Sequence, residues 1–197
     1  PRKFITTGEG GIVTTNDDEL GKWMNSYKHF GMNMDGSSRE GIQFDIIGTN
    51  YKLSNLQAAV GLGQLQFIED LLSKRIELAN NYKRMIQKRE EINLPKILNP
   101  QPNTQHSFQT YAVYIDNRDA VMKSMRSKNI EVQIGSYSLH MHKAFQNNPL
   151  IEIKGEMLNS KWCYEHTLAL PLYHDLTNDL QELIINELIN SINECAE

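Results

Sequence analysis

The sequence predicts an α/β chain in which a glycine-rich opening segment leads through a long helix into a small layered domain. Three observations carry this reading. Ser54-Asn55-Leu56-Gln57 has the form of a capping box ahead of apolar residues near helical spacing. Ile130, Val132 and Ile134 alternate as a half-buried strand does. Beyond residue 103 the pattern runs strand, helix, strand, and the chain closes on an amphipathic helix.

In order along the chain, Phe4–Thr7 and Ile12–Thr15 are β-prone runs on either side of Gly8-Glu9-Gly10-Gly11. Glycine supplies the positive φ of a tight turn, so the pattern predicts a hairpin. Asn16-Asp17-Asp18-Glu19 then predicts a helix start, with a capping side chain and acids against the positive end of the dipole. That helix is expected to bury Leu20, Trp23, Met24 and Tyr27 and to stop before Gly31. Residues 31–50 show no period. They mix Gly, Ser, Asn and Asp with Met32, Met34, Phe44, Ile46 and Ile47, as functional or partner-facing segments do.

The capping box predicts one helix from about Asn55 to Lys88, with Leu56, Val60, Phe67, Leu71, Tyr82 and Ile86 on its packed side. Gly61 and Gly63 each cost about 1 kcal/mol against alanine in a helix interior, which predicts another backbone close by. Asn99-Pro100-Gln101-Pro102-Asn103 reads as a linker. Strand Phe108–Ile115, helix Arg118–Lys128 and strand Ile130–Ile134 follow, the two strands paired in one sheet. A looser segment at 135–155 precedes a helix over Met157–His166. Thr177 caps a last helix with Leu180, Leu183, Ile184, Leu188 and Ile192 as its buried stripe. The expected organisation is residues 1–52 as part of a larger domain, 53–98 as a linking helix and 99–197 as the small α/β domain.

Composition narrows the function classes. The 197 residues are 40% apolar and carry a net charge of −4 with acids and bases interspersed, so no footprint for nucleic acid stands out. No apolar run approaches the ~20 residues of a membrane helix. Cys163 and Cys195 are too few and too far apart for a disulfide framework or a Cys-x-x-Cys metal site, which makes a reducing cytoplasm the expectation. The glycine run lacks the Gly-Lys-Ser/Thr of a Walker loop and is no Gly-x-Gly-x-x-Gly unit. A hairpin turn explains it better than a phosphate cradle.

Two motifs point to chemistry. Lys3 stands just before Thr6-Thr7-Gly8-Glu9-Gly10-Gly11, followed by an Ile-Val run and Asn16-Asp17. Gly48-Thr49-Asn50-Tyr51-Lys52-Leu53-Ser54-Asn55-Leu56-Gln57-Ala58-Ala59 is the second. Together they closely resemble the DegT/StrS family of PLP-dependent sugar aminotransferases. The resemblance is strong over residues 1–15 and 48–70 and general in pattern over 108–195.

The resemblance implies the C-terminal part of a fold-type I PLP-dependent transferase: the end of the large domain, a long linking helix and a small α/β domain. It implies that Lys3 is the catalytic, cofactor-bearing lysine. It implies that Asn50 reaches the PLP phosphate of the other subunit of a homodimer. Lys52 stands where the family commonly has Arg, and a lysine offers a point charge where an arginine offers a bidentate fork. His140, in Ser138-Leu139-His140-Met141-His142, matches a histidine the family places near its substrate. The pair His140 and His142 could also mark a metal site or a surface loop, but no third ligand has plausible spacing.

The implied substrates are a nucleotide-linked keto sugar and an amino donor, glutamate being expected. The chain begins without an initiator Met, and the family's phosphate-binding turn, ring-stacking aromatic and pyridine-pairing Asp all precede the lysine. The expectation is therefore a piece that binds PLP weakly and is inactive alone. Two other readings stay open: a non-catalytic α/β module for dimerisation or binding, and the family's dehydratase branch. That branch carries His in place of the lysine, so Lys3 disfavours it.

Overall fold

The computed structural model describes residues 3–33, 41–95 and 104–196. The chain divides into two compact units, residues 1–68 and 69–197. The linker expected at Asn99–Asn103, and Met34 in the irregular segment, lie outside the described residues.

Unit 1 contains two helices. Helix α1 spans Asp18–Tyr27, and its N-cap Asp17 accepts from Leu20 N at 3.0 Å. The acidic first turn read from the sequence is present as Asp18 and Glu19. None of its apolar residues is buried: Leu20 and Trp23 are about half exposed, and Trp23 stacks on Tyr27 with ring centroids 5.0 Å apart. Helix α2 spans Asn55–Leu65 and opens on the expected capping box, with Ser54 and Gln57 bonded reciprocally. No strand forms among the described residues of this unit, which corrects the hairpin expected at 4–15. A lone two-stranded ribbon is marginal in water. The backbone of this segment bonds to side chains of α2 instead, and Ile12 and Val13 point into solvent.

The single helix expected from Asn55 to Lys88 is two. Helix α2 tightens into an i→i+3 bond at Phe67 N to Gln64 O (3.0 Å) and ends, and α3 spans Ile68–Ile86. No Gly or Pro marks the break. It coincides with the boundary between the units, and α3 buries Leu78, Ala79, Tyr82 and Ile86 in the core of unit 2. Within this chain, a Cβ on Gly61 would sit 3.2 Å from the Thr7 side chain, and one on Gly63 would have nothing within 4 Å among the described residues.

Unit 2 builds a three-stranded sheet from β1 (Tyr111–Tyr114), β2 (Gln133–Ile134) and β3 (Thr167–Leu170), with α4 (Arg118–Ser127), α5 (Leu158–His166) and α6 (Asn178–Glu194) between and after them. The order is β1-β3-β2, all contacts antiparallel, with Tyr111 opposite Leu170 and Ile134 opposite Leu168. The two strands foreseen in the sequence are therefore in one sheet but not paired. A third strand separates them, and both are shorter than expected. Strand β3 was missed because Thr167-Leu168-Ala169-Leu170 follows α5 without a turn residue. Pro171 then ends it, as a residue without an N–H must.

One core unites Leu78 and Tyr82 of α3, Val113 of β1, Val121 and Met125 of α4, Leu168 of β3 and Leu188 of α6. Helix α6 is turned slightly from its expected stripe. Leu180 and Leu183 are exposed, while Ile185 and Gln181 face in alongside Ile184 and Leu188. The fully buried Gln181 is satisfied: its Nε2 donates to Leu78 O at 2.9 Å and its Oε1 accepts from Asn81 Nδ2 at 3.4 Å. A buried amide without such partners would cost about 1–3 kcal/mol.

Two predictions follow from this core. Leu188→Ala removes a side chain with no exposed surface and should cost about 2–5 kcal/mol in urea unfolding of the chain. The second concerns alkali. Burial raises the Tyr82 hydroxyl well above its usual value, helped by Tyr173 and Tyr111 nearby, and burial raises Tyr111 likewise. A raised folded-state value means the contribution is whole below the unfolded tyrosine pKa of about 10 and is lost as pH climbs above it. Stability should therefore fall as pH rises above about 10, and Tyr111→Phe should flatten that decline. A slope unchanged by the substitution would argue against burial of Tyr111 as its source.

Candidate functional site

The segment that carries Lys3 is held by turns and by α2. The Lys3 side chain is exposed. Thr6 Oγ1 accepts from Gly8 N at 3.1 Å, and Thr7 Oγ1 donates to Glu9 O at 2.9 Å. Gly8 takes φ +84°, a value glycine adopts without strain. Thr6 then meets Gln64 on both of its backbone groups: its N–H donates to Oε1 at 3.0 Å and its C=O accepts from Nε2. One carboxamide thus does for Thr6 what a neighbouring strand would do. Gln57 makes a second tie, its Nε2 donating to Glu9 O at 2.7 Å.

The segment that carries Asn50 is held by the end of α1. Thr49 N donates to Tyr27 O (2.8 Å), Phe30 N to Thr49 O (3.0 Å) and Tyr51 N to Lys28 O (3.0 Å), which sets Asn50 opposite His29. This contact needs two glycines. A Cβ on Gly31, which has φ +82°, would lie 1.8 Å from Ile46 O, and one on Gly48 would lie 2.2 Å from Gly31 N. The Asn50 side chain is exposed. Two residues on, Lys52 places its ammonium 4.0 Å from the centre of the Phe30 ring, a cation–π contact that fixes the charge beside the loop.

Helix α2 brings the two segments together. Ser54 continues from Asn50 and caps the helix, and the Gln57 that closes the capping box is the same residue that holds Glu9. The sequence identified Gln57 as a cap. Its second bond, and the clamp made by Gln64, carry no local signal, because each joins residues about fifty positions apart.

His140 lies in unit 2, in a single 3₁₀ turn over Leu139–Met141. Its Nδ1 is 2.9 Å from Ser138 Oγ, and Ser138, with no exposed surface, is also 2.9 Å from Ser160 Oγ on α5. His142 does not join this group. It packs edge-on against Tyr164, ring centroids 5.5 Å apart, and its buried Nε2 has no partner among the described residues. No cluster of three or more His, Cys, Asp or Glu that could hold a metal occurs among the described residues.

The donor set suits an aldehyde cofactor with a phosphate. Lys3 offers an exposed primary amine able to bond a carbonyl carbon, and Asn50 offers an exposed amide able to donate to an anionic oxygen. No helix among the described residues is long and apolar enough to cross a membrane.

Comparison with known proteins gives a consistent result. Residues 1–189 match the profile of the DegT/DnrJ/EryC1/StrS aminotransferase family. A GDP-perosamine synthase of Caulobacter vibrioides is 30% identical over 189 residues, covering 92% of this chain and 48% of that protein. A UDP-4-amino-4-deoxy-L-arabinose–oxoglutarate aminotransferase of Shewanella sediminis is 28% identical over 207 residues, covering 96% and 53%. Among solved structures, the Helicobacter pylori aminotransferase of pseudoaminic acid biosynthesis superposes with a TM-score of 0.81 at 23% identity, covering 97% of this chain and 51% of that one. That likeness establishes a shared fold. The chain spans about half the length of the curated relatives it matches.

The dual role of Gln57 can be tested by splitting it. Gln57→Glu keeps an acceptor for Ser54 N–H and removes the donor to Glu9 O; Gln57→Ala removes both. Native-state hydrogen exchange in unit 1 should show protection falling from wild type to Glu to Ala, by about 1–2 kcal/mol in total. Equal protection in all three would remove Gln57 from the framework.

Proposed function

Because the chain belongs to the DegT/DnrJ/EryC1/StrS aminotransferase family, we propose that it serves a PLP-dependent transfer of an amino group from glutamate to a keto group on a nucleotide-linked sugar. The observation that carries this reading is the shared framework of unit 1. Lys3 precedes a turn clamped by Gln64 and Gln57, and Asn50 sits on a loop that runs directly into the same helix. The named relatives, a GDP-perosamine synthase and an aminotransferase of UDP-4-amino-4-deoxy-L-arabinose, support a nucleotide sugar as the acceptor.

Pyridoxal phosphate, when bound, supplies an electron sink for negative charge at the substrate carbon. Lys3 Nζ would hold the cofactor and, as a free amine, would accept a proton and give it back. The Asn50 amide donates to a phosphate oxygen. Lys52 keeps a positive charge on the Phe30 face near that anion. We read His140 as facing the sugar substrate from unit 2.

The working form in this reading is a homodimer in which Asn50 serves the neighbouring subunit's phosphate. Ile47 and Leu56, respectively 97% and 82% exposed, give unit 1 the apolar surface such a contact needs.

The test uses the protein extended to the length of its relatives. Lys3→Ala should abolish the visible absorbance of lysine-bound cofactor and transamination together, with an unchanged far-UV spectrum. Asn50→Ala should weaken cofactor retention about tenfold, one lost charge-assisted hydrogen bond. Turnover retained without Lys3 would end this assignment. A fully active monomer in sedimentation would end the cross-subunit role of Asn50.

A further inference from the structure

We propose that Ser138 and Ser160 are positioning residues that lock His140 in one tautomer and make its outward nitrogen a fixed hydrogen-bond donor. The argument is a proton count. Ser138 Oγ has one hydrogen and two neighbours, His140 Nδ1 and Ser160 Oγ, each at 2.9 Å. Ser138 has no exposed surface, so water cannot share its bonds.

Two arrangements are possible. In the first, Ser160 donates to Ser138 and Ser138 donates to His140 Nδ1. Both hydroxyl hydrogens are used, and the neutral ring carries its proton on Nε2. In the second, Nδ1–H donates to Ser138 and Ser138 donates to Ser160. The Ser160 hydrogen is then left to solvent, since Ser160 is only half-buried. The first arrangement keeps both hydroxyl hydrogens in bonds within the protein, so it is the favoured one. A neutral imidazole normally exchanges freely between donor and acceptor at a given nitrogen. Here the two hydroxyls remove that freedom.

The consequence is specificity for an oxygen that accepts. Nε2–H of His140 suits a phosphate oxygen, a sugar hydroxyl lone pair or a keto oxygen, and rejects a group that only donates. Which of these it meets depends on the reading above, in which His140 faces the substrate; the tautomer does not depend on it.

The experiment separates the two. The 197-residue chain is labelled with 15N-histidine, and the ring signals are recorded at about pH 8.5, where ordinary imidazoles are neutral. His140→Gln assigns the signal among the six histidines. The wild type should show His140 protonated on Nε2. Ser138→Ala should collapse this to a tautomer mixture, Ser160→Ala should do so in part, and Ser138→Thr should restore it. A wild-type Nδ1–H signature, or an unchanged signal in both alanine variants, would overturn the relay. Ser160→Ala keeps the test open if Ser138→Ala fails to fold. Titration with uridine diphosphate then reads the other question. A shifted Nε2–H signal supports His140 as substrate-facing, and a relay that stays intact with no shift refutes that reading alone.

Discussion

A backbone with no strand beside it must find its hydrogen-bond partners elsewhere, and in unit 1 the partners are two side-chain amides. Gln64 closes both polar groups of Thr6, and Gln57 closes the carbonyl of Glu9. These contacts hold the turn that follows Lys3 a few residues on. Helix α2 is the common support. Its capping box fixes where the helix starts, the start fixes where Gln57 and Gln64 project, and those two amides fix the glycine-rich turn.

Unit 2 works by another logic. Its sheet is small, and the central strand β3 pairs with both neighbours, so the core depends on one strand that arrives last in sequence. Several of its buried polar groups are satisfied by bonds between elements. Gln181 bonds across to α3, and Arg75 donates from Nε to Phe108 O at 2.6 Å and from Nη2 to Gln109 O at 2.7 Å, which ties the approach to β1 onto α3. Ser138 follows the same rule beside His140. The polar interior thus orients elements as well as tolerating them.

The parts of this architecture that were legible in the sequence are those set by local chemistry. Asp17 and Thr177 cap helices as expected, Ser54 and Gln57 form their box, and Leu158–His166 is helical within a residue of its expected start. The misses have non-local causes. The hairpin at 4–15 has the right residues for strands, but α2 takes its hydrogen bonds. The break at Gln66–Phe67 lies between units and carries no helix-breaking residue. Strand β3 hides behind a helix that ends without a turn. Of the candidate site, Lys3, Asn50 and His140 are singled out by motif and resemblance. The structure gives each its local setting but groups only the first two in one unit. Ser138 and Ser160 lie 22 positions apart, and no pattern of spacing announces them.

The crossing of Gly31 and Gly48 has a consequence for how such a chain can vary. Two backbones meet there with no room for a side chain, and α1 anchors both. The ends of the intervening segment are therefore stapled independently of its contents. Closing a longer loop between fixed points costs only about 0.6 kcal/mol per doubling of length. The bonds that flank Asn50 come from Tyr27, Lys28 and Phe30, outside the interval between the two glycines. Asn50 and the start of α2 are thus set from α1, and a substitution between the two glycines need not carry through to them.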